Sequence, residues 1–378
     1  MKKNRSLEPV IIILIIIIAT FLGIITFKTI KKAKQVGNST TEVYEENIVN
    51  EMSNNKIDNE KENVKNETPE PEYNDIIEEP IIGETNETIA SKYYYNQLSK
   101  EGKIFYDGLE KNKENLTLGN YKINYGTIFN TLLHTPEGEE KLNIDFQSAW
   151  NAFSYDNMDL YYIDVSKMRR ITTKNTVGGI ATYEVTIEPD ENSNYYQQGF
   201  TSKGDVKKAQ EYLDFITDQI IEQVKNDNEY NKIRKVHNWL ISVVEYNDDE
   251  NNKNRFNIYG TIKNKKAVCE GYARSFKYIM DKIGVPCVLV SGKASSKNNK
   301  SEEHAWNYVK IVDKWYAIDT TWDDPIITGN GVITNEIKYK YFLKGSKDFF
   351  IDHKEENEIS KNSIKFKFPT LSIENYKN

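Results

Sequence analysis

The sequence predicts a mixed helix-and-strand protein placed behind a membrane-spanning segment and an acidic linker. Three observations carry this: an uncharged apolar run near the start, a sharp division of charge along the chain, and helical-period segments followed by short alternating strands. The chain has 378 residues, with 50 bases, 57 acids and a net charge of −7. Residues 1–40 hold seven bases and one acid, residues 41–88 fifteen acids and three lysines, so that residues 89–378 carry only −1. A near-neutral folded part argues against nucleic acid as a partner, because that affinity comes from concentrated Lys and Arg. Two cysteines exclude a disulfide scaffold and a Cys-rich zinc module.

Residues 1–9 form a short basic N-terminus. The uncharged run spans residues 10–27, and at about 1.5 Å per residue it reaches roughly 27 Å, close to the hydrocarbon thickness of a bilayer. It is apolar on every face and flanked by lysines that can snorkel to the headgroups. A signal peptide would have a shorter apolar core and a small-residue cleavage site, and Phe27-Lys28-Thr29-Ile30 offers neither. The expectation is an uncleaved, single-pass transmembrane helix at 10–27. Lysines and arginines on its two flanks nearly balance, and short N-terminal anchors followed by a long domain usually export that domain. The folded part is therefore expected on the extracytoplasmic side of the cell membrane. Residues 28–88 read as a disordered acidic linker. They lack a sustained hydrophobic period and contain the Pro69-Glu70-Pro71 break, too little apolar area to offset the entropy of ordering.

Residues 89–200 read as an accessory α+β region. Tyr93, Leu98, Ile104, Phe105 and Leu109 recur at helical spacing, and Ile144, Phe146, Ala149, Trp150 and Phe153 mark a second, short helix. Leu160 to Val165 and Ile180 to Ile187 are β-branched and aromatic, with Gly178-Gly179 as the turn of a hairpin. No catalytic grouping appears there, and its one histidine, His134, sits in an expected loop. Beyond it, residues 205–226 and 233–243 repeat apolar positions at steps of three and four. His237 lies on the second of these helices, where a lone histidine is read as structural.

The informative stretch begins at Cys269. Ala273, Phe276, Met280 and Ile283 recur at helical intervals, and Gly284 with Pro286 stops the helix. Cys269 thus stands in the first turn, where unpaired backbone N–H groups and the positive end of the macrodipole favour a thiolate. Glu270 opposes that effect, and Lys265 and Lys266 assist it. Cys287 opens a short apolar strand and reads as structural. A polar loop, Lys293 to Glu303, leads to the strand His304 to Ile311, whose hairpin partner is Lys314 to Asp319 across a turn at Asp313. Antiparallel pairing across so short a turn makes His304 and Asp319 neighbours, as a base and its orienting carboxylate need to be. With the sheet packed on the helix, Cys269 faces His304.

Cys269-Glu270-Gly271-Tyr272-Ala273, His304-Ala305-Trp306-Asn307 and Trp315-Tyr316-Ala317-Ile318-Asp319-Thr320-Thr321-Trp322 resemble, in order, the three motifs of the transglutaminase-like superfamily. That superfamily's core is related to the papain-like cysteine proteases. The resemblance covers roughly 205–345, leaves 346–378 as a C-terminal extension, and extends to Tyr339–Gly345, which is similar to bacterial membrane-anchored members. It implies an α+β core and thiol acyl transfer, with Cys269 as nucleophile, His304 as base and Asp319 as orienter. The backbone N–H of Cys269 is one natural oxyanion donor, while Tyr259 and Trp306 are weak candidates for the second.

The function expected is acyl transfer from protein or peptide amides, as a peptidase, amidase or transglutaminase, on substrates of the cell envelope. No cofactor is expected. The four histidines are scattered, there is no HExxH pattern, Asp323-Asp324 is too small a set for a calcium loop, and glycine-rich phosphate loops are absent. The rival from another class is a non-catalytic binding or envelope-organising module that keeps the fold without turnover. A redox-sensing pair of Cys269 and Cys287 is the third alternative.

Overall fold

The computed structural model describes residues 30–36, 39–47, 92–295, 301–324, 334–356 and 363–378. The helix expected at 10–27 lies outside them, and among the described residues no helix is long and apolar enough to cross a membrane.

In the first part of the fold, two helices pack against a five-stranded antiparallel sheet. Helix α1 (Lys100–Lys111) is capped by Ser99, whose side chain accepts from the Gly102 N–H, and it buries Phe105, Tyr106 and Leu109. Helix α2 (Pro136–Asp156) is far longer than its apolar cluster predicts. Its first turns are polar, but Thr135 caps them, Pro136 pre-sets the first position, and Glu137 and Glu139 meet the positive end of the dipole.

The sheet has the order β1 (Ile30–Val36), β2 (Ser39–Asn47), β4 (Met168–Val177), β5 (Ile180–Pro189), β3 (Ile123–Gly126). Two expectations are corrected here. Gly178 and Gly179 do make the hairpin turn, both with positive φ, but β5 pairs with Met168–Val177 rather than with Leu160 to Val165. The latter segment is turn and bridge structure whose tyrosines are spent on packing, Tyr161 stacking on Tyr259. Second, part of the acidic linker expected to be disordered is strand. β2 pairs along its whole length with β4, from Ser39↔Val177 to Asn47↔Arg169. The reason is charge: Glu42 pairs with Lys174 at 2.9 Å, Glu45 with Arg169 at 3.4 Å and Glu46 with Arg170 at 2.5 Å. Its acids, self-repelling when read along the chain, are matched by bases more than a hundred residues away.

The second part surrounds an antiparallel sheet of order β10 (Lys314–Ile318), β9 (Ser301–Ile311), β8 (Cys287–Ser295), β11 (His353–Glu355). Helices α3 (Lys203–Val224) and α4 (Glu229–Val243) start at the caps Ser202 and Asn228, and α5 (Ile258–Asn264) leads through β7 (Lys266–Ala267) into α6 (Cys269–Lys282). Strand β8 runs on to Ser295 and β9 starts at Ser301, so the described ends of the expected polar loop are strand. Val312 and Asp313, both with positive φ, turn β9 into β10. Residues beyond 345 are not a separate extension, since β11 pairs with β8 and Phe366 is buried beside Tyr94.

The two parts share one core. Tyr94 donates its hydroxyl to the Leu289 carbonyl in β8. Asp156, at the end of α2, accepts from the Tyr94 and Tyr95 N–H groups at 3.1 and 3.0 Å, and burial pushes its carboxyl up to about 7.

Candidate active site

Cys269 opens α6 after an extended Val268 that supplies no side-chain cap, and its thiol is free and partly exposed. The first turn is pinned from outside: Val268 N–H donates to the Arg255 carbonyl at 3.0 Å. A Cβ at Gly271 would come 2.4 Å from that oxygen, so only glycine fits there. Glu270 is held by Arg274 at 2.7 Å, one turn along. Asn307 of β9 donates to the Ala273 carbonyl at 3.0 Å and ties the helix to the sheet.

His304 of β9 and Asp319, just past β10, meet as the hairpin predicts. The His304 Nε2 is 2.7 Å from Asp319 Oδ2, and both side chains are buried. Burial opposes a charge on the imidazole, but the Asp319 charge and hydrogen bond, and then a hydrogen bond with Cys269, raise its pKa to about 10. Asp319 has the mirror balance. Desolvation pushes its carboxyl up, and His304 and then His353 bring it well below the usual range. Its Oδ1 accepts from the Thr321 and Trp322 N–H groups at 2.9 and 3.1 Å, so both oxygens are spoken for.

His353 was not singled out from the sequence. It stands on β11, with Nε2 3.1 Å from the same Asp319 Oδ2. The local signal is Gly292, the β8 residue opposite His304, where a Cβ would lie 2.1 Å from the Lys354 carbonyl oxygen. A glycine in an otherwise apolar strand marks the close approach of another backbone, and that backbone carries His353.

His304, Asp319 and His353 offer three ligand atoms within 4.8 Å of one another. Both imidazoles lie at hydrogen-bond distance from one carboxylate oxygen, an arrangement satisfied by two N–H donors. The chemistry of the set is that of a proton network.

Other candidates fall elsewhere. Cys287 is fully buried, with its thiol pushed well up by burial, and forms no disulfide with Cys269. His237 is buried against Asp323 at 3.0 Å, and Asp323 accepts from the Tyr341 N–H at 2.8 Å, a clasp that holds the segment after Asp319. Tyr259 packs on Tyr161 and Phe200, and Trp306 is buried beside His353. A further aromatic residue near the start of α6 is Tyr246. Its strand β6 (Glu245–Tyr246) pairs in parallel with β7, Tyr246 opposite Ala267. Burial, then the charges of Cys269, Asp248 and Glu302, push its phenol up to about 12.

Cys269 thus opens a helix packed on the strand that carries His304, whose imidazole a buried carboxylate orients. Residues 216–320 match the family model of the transglutaminase-like superfamily, so this segment is a transglutaminase-like core. Kyphoscoliosis peptidase of Mus musculus is 25% identical over 157 residues, 39% of this chain and 23% of the relative. The Homo sapiens protein of that name is 25% identical over 164 residues, 40% and 24%. The chain therefore spans about a quarter of the length of the curated relatives it matches. A crystal structure of a TGase is 16% identical with a TM-score of 0.29, over 45% of this chain and 48% of that one.

Proposed function

We propose that the chain is a cysteine-dependent acyl-transfer enzyme acting on protein or peptide amides, with Cys269 as nucleophile, His304 as acid and base, and Asp319 as orienter. The observation that supports this is the imidazole of His304, held by the buried Asp319 carboxylate on a strand packed against the helix that Cys269 opens. The thiolate attacks the amide carbon. The Cys269 N–H and the Tyr246 hydroxyl stabilise the oxyanion, and imidazolium His304 gives its proton to the departing amine, leaving a thioester. His304 then takes a proton from the acceptor as it attacks, and the thiolate is released. The peptidase names of the mouse and human relatives favour water as that acceptor. The apolar run at 10–27 supports a membrane anchor, with envelope proteins as substrates on the extracytoplasmic side.

The test is the pH dependence of iodoacetamide alkylation, with Cys269 and Cys287 read separately by peptide mass and repeated in His304→Ala. Fast labelling of Cys269 well below about pH 8.5, the range of an ordinary thiol, and its loss in the variant are expected. Labelling as slow as an ordinary thiol and indifferent to His304 sinks the catalytic reading.

A further inference from the structure

His353 is the histidine that the triad leaves out. Its Nε2 lies 3.1 Å from Asp319 Oδ2 and its Nδ1 2.8 Å from Asp352 Oδ1. Ionised carboxylates only accept hydrogen bonds, so a ring bonded to two of them carries protons on both nitrogens. Asp352 is suited to this. Burial opposes its charge, but the bonds from His353 and Tyr341 hold its carboxyl below the usual range, and Lys340 stands 3.7 Å away. The ring itself is clamped: it stacks on Phe349 at 4.1 Å and meets Trp322 at 4.7 Å and Tyr341 at 5.1 Å.

We propose that His353 is a positioning residue for the acyl-transfer centre, a buried imidazolium that shares Asp319 Oδ2 with His304 and thereby limits the negative charge Asp319 presents to the base. This rests on the acyl-transfer reading above. The ring centroids of His304 and His353 are 5.8 Å apart, close enough for one cation to disfavour the other. Among the described residues, the charged and titratable groups linked to this assembly include Asp319, His304 and, through it, Cys269, then Asp352, Tyr341 and Lys340, and Asp323. Without the His353 cation, Asp319 acts on His304 undivided, and His304 keeps its proton to higher pH. A packing role alone leaves that titration where it was.

The experiment follows the four histidines of the full chain by NMR after histidine labelling. It uses a Cys269→Ala background, and His304 is assigned by the signal lost in His304→Ala. His353→Gln keeps a hydrogen-bond donor without charge, and His353→Phe keeps the ring on Phe349 without donors. Each is expected to move the His304 midpoint up by about one pH unit, and either suffices if the other does not fold. An unchanged midpoint in the folded variants overturns the proposal. Wild-type Cys269 is alkylated alongside: if it is activated while the midpoint stays put, only the role of His353 fails. If it behaves as an ordinary thiol, the acyl-transfer reading fails with it.

Discussion

Arg274 in α6 donates to the Ser154 carbonyl at the end of α2, 2.7 Å away, while its Nε holds Glu270, the residue beside Cys269. One guanidinium thus joins the first part of the fold to the nucleophile's helix and neutralises the acid next to the thiol. Arg274→Ala leaves Glu270 buried without its cation, and removing one partner of a buried pair costs about 3 kcal/mol. Urea unfolding checks this, and a loss below about 1 kcal/mol, the scale of a surface pair, would show that Glu270 finds solvent instead.

Asp319 accepts four hydrogen bonds, two from backbone and two from imidazoles. In Asp319→Asn the amide nitrogen must face one of those donors, so His304 loses either its orientation or its preferred tautomer. Peptide turnover should fall by about 10⁴-fold while the fold persists by circular dichroism. Retention of wild-type turnover would remove Asp319 from the proposed machinery.

Tyr246→Phe removes the hydroxyl proposed as the second oxyanion donor and leaves the ring. The expected result is a drop in kcat of about 10²-fold with the rate of Cys269 alkylation retained, because alkylation forms no oxyanion. If turnover is unaffected, the second donor is another group.

The parts of the site that could be read along the chain are those built from local periods. Cys269 sits at a helix start announced by Ala273, Phe276 and Met280, and His304 meets Asp319 through a hairpin whose two strands are contiguous in sequence. His353 could not be reached this way. It arrives on β11, which joins the sheet at the edge opposite β10, 34 residues after Asp319. Strand β2 was hidden for a related reason: its acids signal repulsion until Arg169, Arg170 and Lys174 are placed across from them. Leu160 to Val165 misled in the other direction, since an aromatic, β-branched run is equally suited to buried turns when its tyrosines have rings to pack on.

Gly292 links these two levels. A Cβ there meets the Lys354 carbonyl at 2.1 Å and the Trp306 ring at 2.6 Å, so Gly292→Ala must push β11 away from β8. Overpacking of this kind costs about 1–3 kcal/mol, and the displaced strand takes His353 from Asp319. The variant should be destabilised in urea and should also show the upward His304 shift expected of His353→Gln. Destabilisation without that shift would mean that β11 yields elsewhere and leaves His353 in place.

Buried carboxyls and the His304 imidazole shape the pH dependence of stability, and Asp156, Asp281, Asp323 and His304 all push it the same way. Asp156 is raised in the fold from 3.8 to about 7 by burial, so the stability it contributes is fully present below about 3.8 and is lost as pH rises through about 7. His304, raised from 6.5 to about 10, contributes stability that is full below about 6.5 and lost as pH rises through about 10. Asp319, lowered, loses its share only as pH falls below 3.8 toward its folded value. Unfolding free energy measured in urea across this range should therefore decline in two steps, one ending near neutrality and one in the alkaline range. Asp156→Asn should shrink the first step without abolishing it, because Asp281 and Asp323, raised to about 6 by burial, remain, and it should leave the second. His304→Ala, though less stable overall because Asp319 loses its nearest cation, should flatten the second and leave the first. A single step that both variants alter equally would mean that the two groups titrate as one unit through the shared core.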